Sequence, residues 1–151
     1  MLDVAFVREI RRLGAGATYL TSVCTGSLIL AAAGFLTGRR AATHWAWRGL
    51  LEPFGVKVDT GRVVRDGNII TGGGVTAGLD FAFTVLAELC GDAFAQSVQL
   101  ALEYAPAPPF DAGRPETAPP EVLAAFNRRV GPTIAGRRMA AEEAARRLQP
   151  V

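Results

Sequence analysis

The sequence predicts an α/β fold: a mostly parallel sheet with a short antiparallel hairpin. Three observations carry this. Short β-branched or apolar runs alternate with segments long enough and periodic enough for helices, the signature of strand–helix–strand units. Two strand ends, at Cys24 and at Gly72-Gly73-Gly74, pass through small residues directly into an apolar helix. Between them, two short strands flank Asp66-Gly67, a two-residue hairpin signal.

The elements follow in order. Residues 2–13 set Val4, Phe6, Val7 and Ile10 among arginines, which is an amphipathic helix, and Gly14 and Gly16 stop it. Residues 18–23 read as a buried strand, and residues 26–33 as a helix ended by Gly34. After the turn Thr37-Gly38-Arg39-Arg40, residues 41–44 form a short strand and 45–52 a short helix that Pro53 closes. Strands are expected at 56–59, 62–65 and 68–71. A long apolar helix then covers 76–90, Gly91-Asp92 breaks it, and 93–103 form another. Residues 105–120 hold six of the nine prolines (Pro106, Pro108, Pro109, Pro115, Pro119 and Pro120) and exclude regular structure. Residues 121–130 and 133–148 read as two further helices. There is no internal repeat.

Composition bounds the function classes. The chain has 151 residues, 50% of them hydrophobic, so a single domain over 1–151 with a sizeable core is expected. A net charge of +2 is too small to argue for nucleic acid. The late arginine pairs (Arg128-Arg129, Arg137-Arg138, Arg146-Arg147) read as a solvated helix face. The longest apolar run, 28–36, falls far short of the ~20 residues of a membrane span, and the charged opening residues are not a signal peptide. Two cysteines without a CxxC spacing and a single histidine exclude a disulfide scaffold and a zinc site. The expected setting is soluble, reduced and cytoplasmic, with no nucleic-acid or membrane partner.

Chemistry concentrates at the two corners. A thiol at Cys24 faces outward where a sheet ends and a helix begins. Only a few per cent of an ordinary thiol is ionised at neutral pH. A helix N-terminus stabilises negative charge by about 0.3–1 kcal/mol, which poises the thiol; a further donor, such as a backbone N–H or the Thr25 or Ser27 hydroxyl, completes activation. The competing reading is a buried structural cysteine. Cys90, among Leu86, Ala87 and Leu89, reads as core. His44 lies close enough in the chain to pair with Cys24, and is equally compatible with a packed residue between Trp45 and Trp47. The run Thr71-Gly-Gly-Gly-Val-Thr-Ala-Gly is neither a Walker loop nor a dinucleotide fingerprint. Its glycines suit the lining of a pocket beside Cys24, because parallel sheets collect ligands at the carboxyl ends of their strands.

Taken together, Ser22-Val-Cys-Thr-Gly-Ser-Leu, Arg40-Ala-Ala-Thr-His-Trp, Val63-Val-Arg-Asp-Gly-Asn, Gly72-Gly-Gly-Val-Thr-Ala-Gly-Leu-Asp-Phe-Ala and Leu102-Glu-Tyr-Ala-Pro-Ala-Pro-Pro-Phe resemble the ThiJ/PfpI superfamily, relatives of class I glutamine amidotransferase domains. The last motif resembles the isocyanide (isonitrile) hydratase branch. The resemblance implies a flavodoxin-like open sheet with helices on both faces, no cofactor or metal, and a homodimer. It implies hydration of R–N≡C to an N-substituted formamide through a thioimidate on Cys24, with Thr25 holding the thiol environment and Gly26, His44, Gly73, Gly74 and Thr76 lining the substrate pocket. Many other members carry histidine where Thr25 stands.

Members of the superfamily also carry an N-terminal portion with central strands, an acidic residue against the cysteine, and a Gly-Gly loop of backbone donors. Neither Asp3 nor Glu9 corresponds to that acid. The expectation is therefore the C-terminal two-thirds of such a domain, with sheet edges and apolar helix faces left open to pairing. Two alternatives are a ligand- or redox-sensing module, as in the sensor domains of AraC-type regulators, and an inactive remnant.

Overall fold

The computed structural model describes residues 1–148. Helix α1 (Val4–Gly14) is capped by the Asp3 carboxylate, which accepts from the Phe6 N–H at 3.0 Å. Strand β1 (Leu20–Val23) leads through Cys24 into the seven-residue α2 (Gly26–Ala32). Strand β2 (Arg40–Ala41) precedes two 3-10 helices, Trp45–Leu50 and Glu52–Phe54. Strands β3 (Lys57–Val58), β4 (Val63–Asp66) and β5 (Ile69–Gly72) follow, then α3 (Ala77–Cys90), α4 (Asp92–Ala101) and α5 (Pro120–Arg146).

The main sheet runs β1-β5-β4; β5 pairs parallel with β1 and antiparallel with β4, while β2 and β3 form a parallel pair of their own. The hairpin is thus no appendage, because its second strand is the centre of the sheet. Helices lie on both faces, as expected. Leu20 and Ile69 join α2 and α5 in one core that also takes Leu28, Leu36, Leu50 and Phe54. On the other face α3 comes close to the strands: a Cβ on Gly72 would stand 3.3 Å from the Cβ of Phe81 and 3.4 Å from Val23.

Several expectations are corrected. Strand β1 is an edge strand, with Leu20 buried and Thr21 exposed, so the β-branched run does not lie deep in the sheet. The hairpin turn is Gly67-Asn68, since Asp66 already pairs with Ile69; Gly67 takes φ +62°, the positive φ that a II′ turn needs at its first position. His44 belongs to no strand: its ring caps the first 3-10 helix. Pro53 does not end a helix but sits in the first turn of the second 3-10 segment, where its missing N–H costs nothing.

The two late helices are one. An interior proline costs roughly 3 kcal/mol, yet α5 continues through Pro132 because both halves are packed. Phe126 stacks against Trp45 at 4.8 Å on one side of the proline, and Ala141, Ala144 and Ala145 are buried on the other. The arginine pairs of α5 are exposed, as a solvated helix face requires, and the guanidinium of Arg137 also lies 4.6 Å over the Trp47 ring.

Cys90 is exposed, not core. Helix α3 turns one face to the sheet and another to α4; in its last turn Glu88 meets Tyr19 and Arg65, while Leu89, at 62% exposure, and Cys90 stay open to solvent. Phe6, Phe94 and Leu100 are likewise exposed.

Candidate functional site

The site is built where β1 and β5 end side by side. Their parallel register matches Val23 with Gly72, so Cys24 falls at the level of Gly73. The Cys24 N–H donates to two carbonyls, Gly72 O at 3.0 Å and Gly73 O at 2.8 Å. Its own carbonyl accepts from the Ser27 hydroxyl at 3.1 Å and the Thr43 hydroxyl at 2.9 Å. Ser27 and Thr43 are both buried. Held at these points, Cys24 adopts φ +59°, a region costly for any residue with a Cβ. The thiol is half-buried. Thr25 is the N-cap residue of α2, with its hydroxyl making no cap hydrogen bond. Gly26 abuts β1, and a Cβ there would come within 3.3 Å of the Ser22 Cβ.

His44 lies against the second corner. A Cβ on Gly74 would stand 3.2 Å from its Cδ2. Its Nδ1 accepts the Ala46 N–H at 3.2 Å, so in the neutral ring the proton resides on Nε2. The ring lies against both Trp45 (5.7 Å) and Phe126 (6.4 Å), the three forming one aromatic cluster. Burial holds the His44 pKa below the ordinary imidazole value, and the Arg48 charge adds to this.

A cleft of about 230 Å³ opens beside these groups. His44, Gly73, Gly74 and Thr76 line it; Cys24, Thr25 and Gly26 do not, although the Gly73 and Thr43 that bond Cys24 form its wall. No hydrogen bond joins Cys24 to His44 among the described residues; of the two readings left open for His44, the structure displays the packed one, its ring lying against Trp45.

Sequence reasoning missed the charged part of the cleft. Arg62 pairs with Asp80 and donates to the Thr76 hydroxyl at 3.2 Å, while the Tyr104 hydroxyl donates to the other Asp80 oxygen at 3.1 Å. Arg48 pairs with Glu116 at 3.1 Å, drawing the proline-rich segment over the cleft, and Arg114 of that segment completes the lining. These partners lie between 14 and 68 positions apart in the chain, and no local pattern announces them. Among the described residues no group of histidine, cysteine and carboxylate side chains is arranged to hold a metal ion.

Comparison with known proteins follows this geometry. Residues 3–88 match the DJ-1/PfpI family. The chain is 55% identical over 148 residues to the isonitrile hydratase of Pseudomonas putida, covering 98% of this chain and 65% of that protein. It is 34% identical over 98 residues to an HTH-type transcriptional regulator of Pseudomonas aeruginosa, covering 62% of this chain and 29% of the regulator. Among solved structures, a ThiJ/PfpI family protein from Pseudomonas syringae superposes with a TM-score of 0.86 at 46% identity, over 95% of this chain and 57% of that one. The chain thus spans somewhat under two thirds of the length of these fuller relatives.

Proposed function

Since the chain belongs to the DJ-1/PfpI family, we propose that its chemistry is isonitrile hydration, R–N≡C plus water giving an N-substituted formamide. The Cys24 sulfur attacks the terminal carbon. A C–S bond forms and the thiol proton is delivered to that same carbon, leaving a thioimidate. Water then adds to the carbon and one of its protons passes to nitrogen; the C–S bond breaks, the remaining hydroxyl proton goes to the departing sulfur, and the formamide leaves with the thiol restored. One water is consumed and no electrons are exchanged. A soft, polarisable nucleophile suits a carbon that carries no leaving group. Neutral His44, with Nε2–H as donor, suits a hydrogen bond to the thioimidate nitrogen, which turns basic as water adds to the carbon. Gly73, Gly74 and Thr76 give the cleft its backbone wall, while Thr25 and Gly26 shape the turn beside the thiol.

The observation that carries this reading is the strained backbone of Cys24. Among the described residues, the other non-glycine with positive φ is Glu103. It closes α4, where the Tyr104 N–H returns to Gln99 O, an ordinary way to end a helix. Cys24 has no such excuse. Its φ persists because two strand ends over-determine it, the circumstance in which strain marks a reacting residue at a strand-to-helix turn. The 55% identity to a hydratase supports the reaction class. A cytoplasmic homodimer goes with this reading; the open edge of β1 and the exposed Phe6, Leu89 and Leu100 favour self-association.

The test is formamide production from cyclohexyl isocyanide by this chain and by Cys24→Ser. Turnover lost in the variant is expected; turnover by both removes Cys24 from the mechanism. The match to a transcriptional regulator favours one alternative, a sensing module that uses the same cysteine. No turnover of either cyclohexyl isocyanide or isocyanoacetate by either protein, with rapid alkylation of Cys24 near neutral pH, would select it.

A further inference from the structure

We propose that the cleft beside Cys24 holds small molecules by a carboxylate, so that the isonitriles taken by this chain carry an anionic tail. The isonitrile group rests on the hydratase reading; the preference for an anion does not. Three guanidiniums, those of Arg48, Arg62 and Arg114, line the cleft from three separate segments, and no aspartate or glutamate is in the lining among the described residues. Two of the three charges are balanced by Asp80 and Glu116, which are not themselves part of the lining. Arg114 makes no close ion pair among the described residues; its charge acts on the Glu116 carboxylate from a distance and on the cleft it lines. The Nε of Arg48 is buried with no hydrogen-bond partner, an unusual state for a charged donor. The imidazole of His44 adds no competing negative charge.

This is the environment a carboxylate meets well. Guanidinium groups receive it through paired, charge-assisted hydrogen bonds. About half of the wall is apolar, with Trp45 and Val75 part of it, so a short aliphatic stem is accommodated beside the guanidinium groups. The volume, about 230 Å³, falls below the ~300–1,000 Å³ of drug-sized pockets. The ligand is therefore of amino-acid scale.

The probes are N-formylglycine, the hydration product of isocyanoacetate, and its neutral counterpart N-formylglycinamide, titrated into the full chain by NMR. The carboxylate is expected to bind about tenfold more tightly at low salt, an advantage that shrinks as added salt shortens the screening length. Arg114→Gln should remove most of that advantage while leaving amide binding unchanged. Arg128→Gln, outside the cleft, should leave it intact. Equal affinities, no binding of either probe, an advantage that survives Arg114→Gln, or one lost equally in Arg128→Gln would each overturn the proposal. Carboxylate preference without hydration of any isonitrile would sink the hydratase reading and leave this one standing. Equal turnover of cyclohexyl isocyanide and isocyanoacetate would do the reverse.

Discussion

Replacing Cys24 by glycine and by alanine separates the strain at this residue from its chemistry. Both variants lose the sulfur, and both keep the backbone N–H that bonds Gly72 O and Gly73 O and the carbonyl that accepts from Ser27 and Thr43. They differ by one Cβ at φ +59°. A Cβ in that region costs roughly 1–2 kcal/mol. Glycine escapes the cost but gives up about 0.5–1 kcal/mol of extra chain entropy on folding. The glycine variant should therefore be the more stable by about 0.5–1 kcal/mol, which for a chain of this size is a Tm difference of about 1–4 °C. Thermal and guanidinium denaturation followed by circular dichroism read the difference, and both variants should lack turnover. An alanine variant as stable as the glycine one, or more so, would mean that the turn carries no stored strain, and the main argument for a presented nucleophile would fall.

Two other perturbations probe the supports of the site. Thr71 is fully buried, and its hydroxyl accepts the Ala42 N–H at 2.8 Å. Thr71→Val keeps the shape but orphans that buried N–H, which should cost about 1–3 kcal/mol in chemical denaturation; a variant as stable as the parent would show the bond to be idle. For His44 the sign runs one way. Burial and Arg48 depress its pKa in the folded chain, so the unfolded chain takes up the proton first as pH falls. The stability that His44 contributes is full above its unfolded value of about 6.5 and is lost as pH drops through the lower folded value. His44 is the one imidazole in the chain, and arginine partners hold the carboxyls of Asp59 and Glu88 below the usual range, helped at Asp59 by a backbone N–H and led at Glu88 by the Tyr19 hydroxyl. The slope of unfolding free energy between about pH 7 and pH 5.5 should thus flatten in His44→Gln, and an unchanged slope would contradict the assignment.

The corners and the helix-bearing architecture were legible because their signals are local. Small residues after a β-branched run, and a glycine run before an apolar one, dictate a turn wherever they occur. What was misread depends on neighbours. The apolar company of Cys90 says that α3 has a hydrophobic side, but not which residues of its last turn meet the sheet: Glu88 does, and Cys90 stays exposed. The β-branched stretch before Cys24 says strand, but an edge strand and a central one share that composition. Gly131-Pro132 would end an isolated helix; Phe126 on Trp45 and the buried alanines beyond keep α5 going. The charged lining of the cleft was invisible for the plainest reason. Arg62 meets Asp80, and Arg48 meets Glu116, only once the chain has folded.

How Cys24 is held bears on what it can do. Its peptide groups take part in four hydrogen bonds, with partners drawn from the end of β5, the start of α2 and the segment after β2. The parallel register of Val23 with Gly72 sets the two made by its N–H, since it brings Cys24 level with the end of β5. Every one of these ties uses backbone atoms of Cys24 and none its sulfur. A cysteine retained for packing would spend its side chain among apolar neighbours and leave its backbone relaxed. Here the backbone bears the constraint and the half-buried thiol is without a hydrogen-bond partner among the described residues, which is the division of labour that a nucleophile requires.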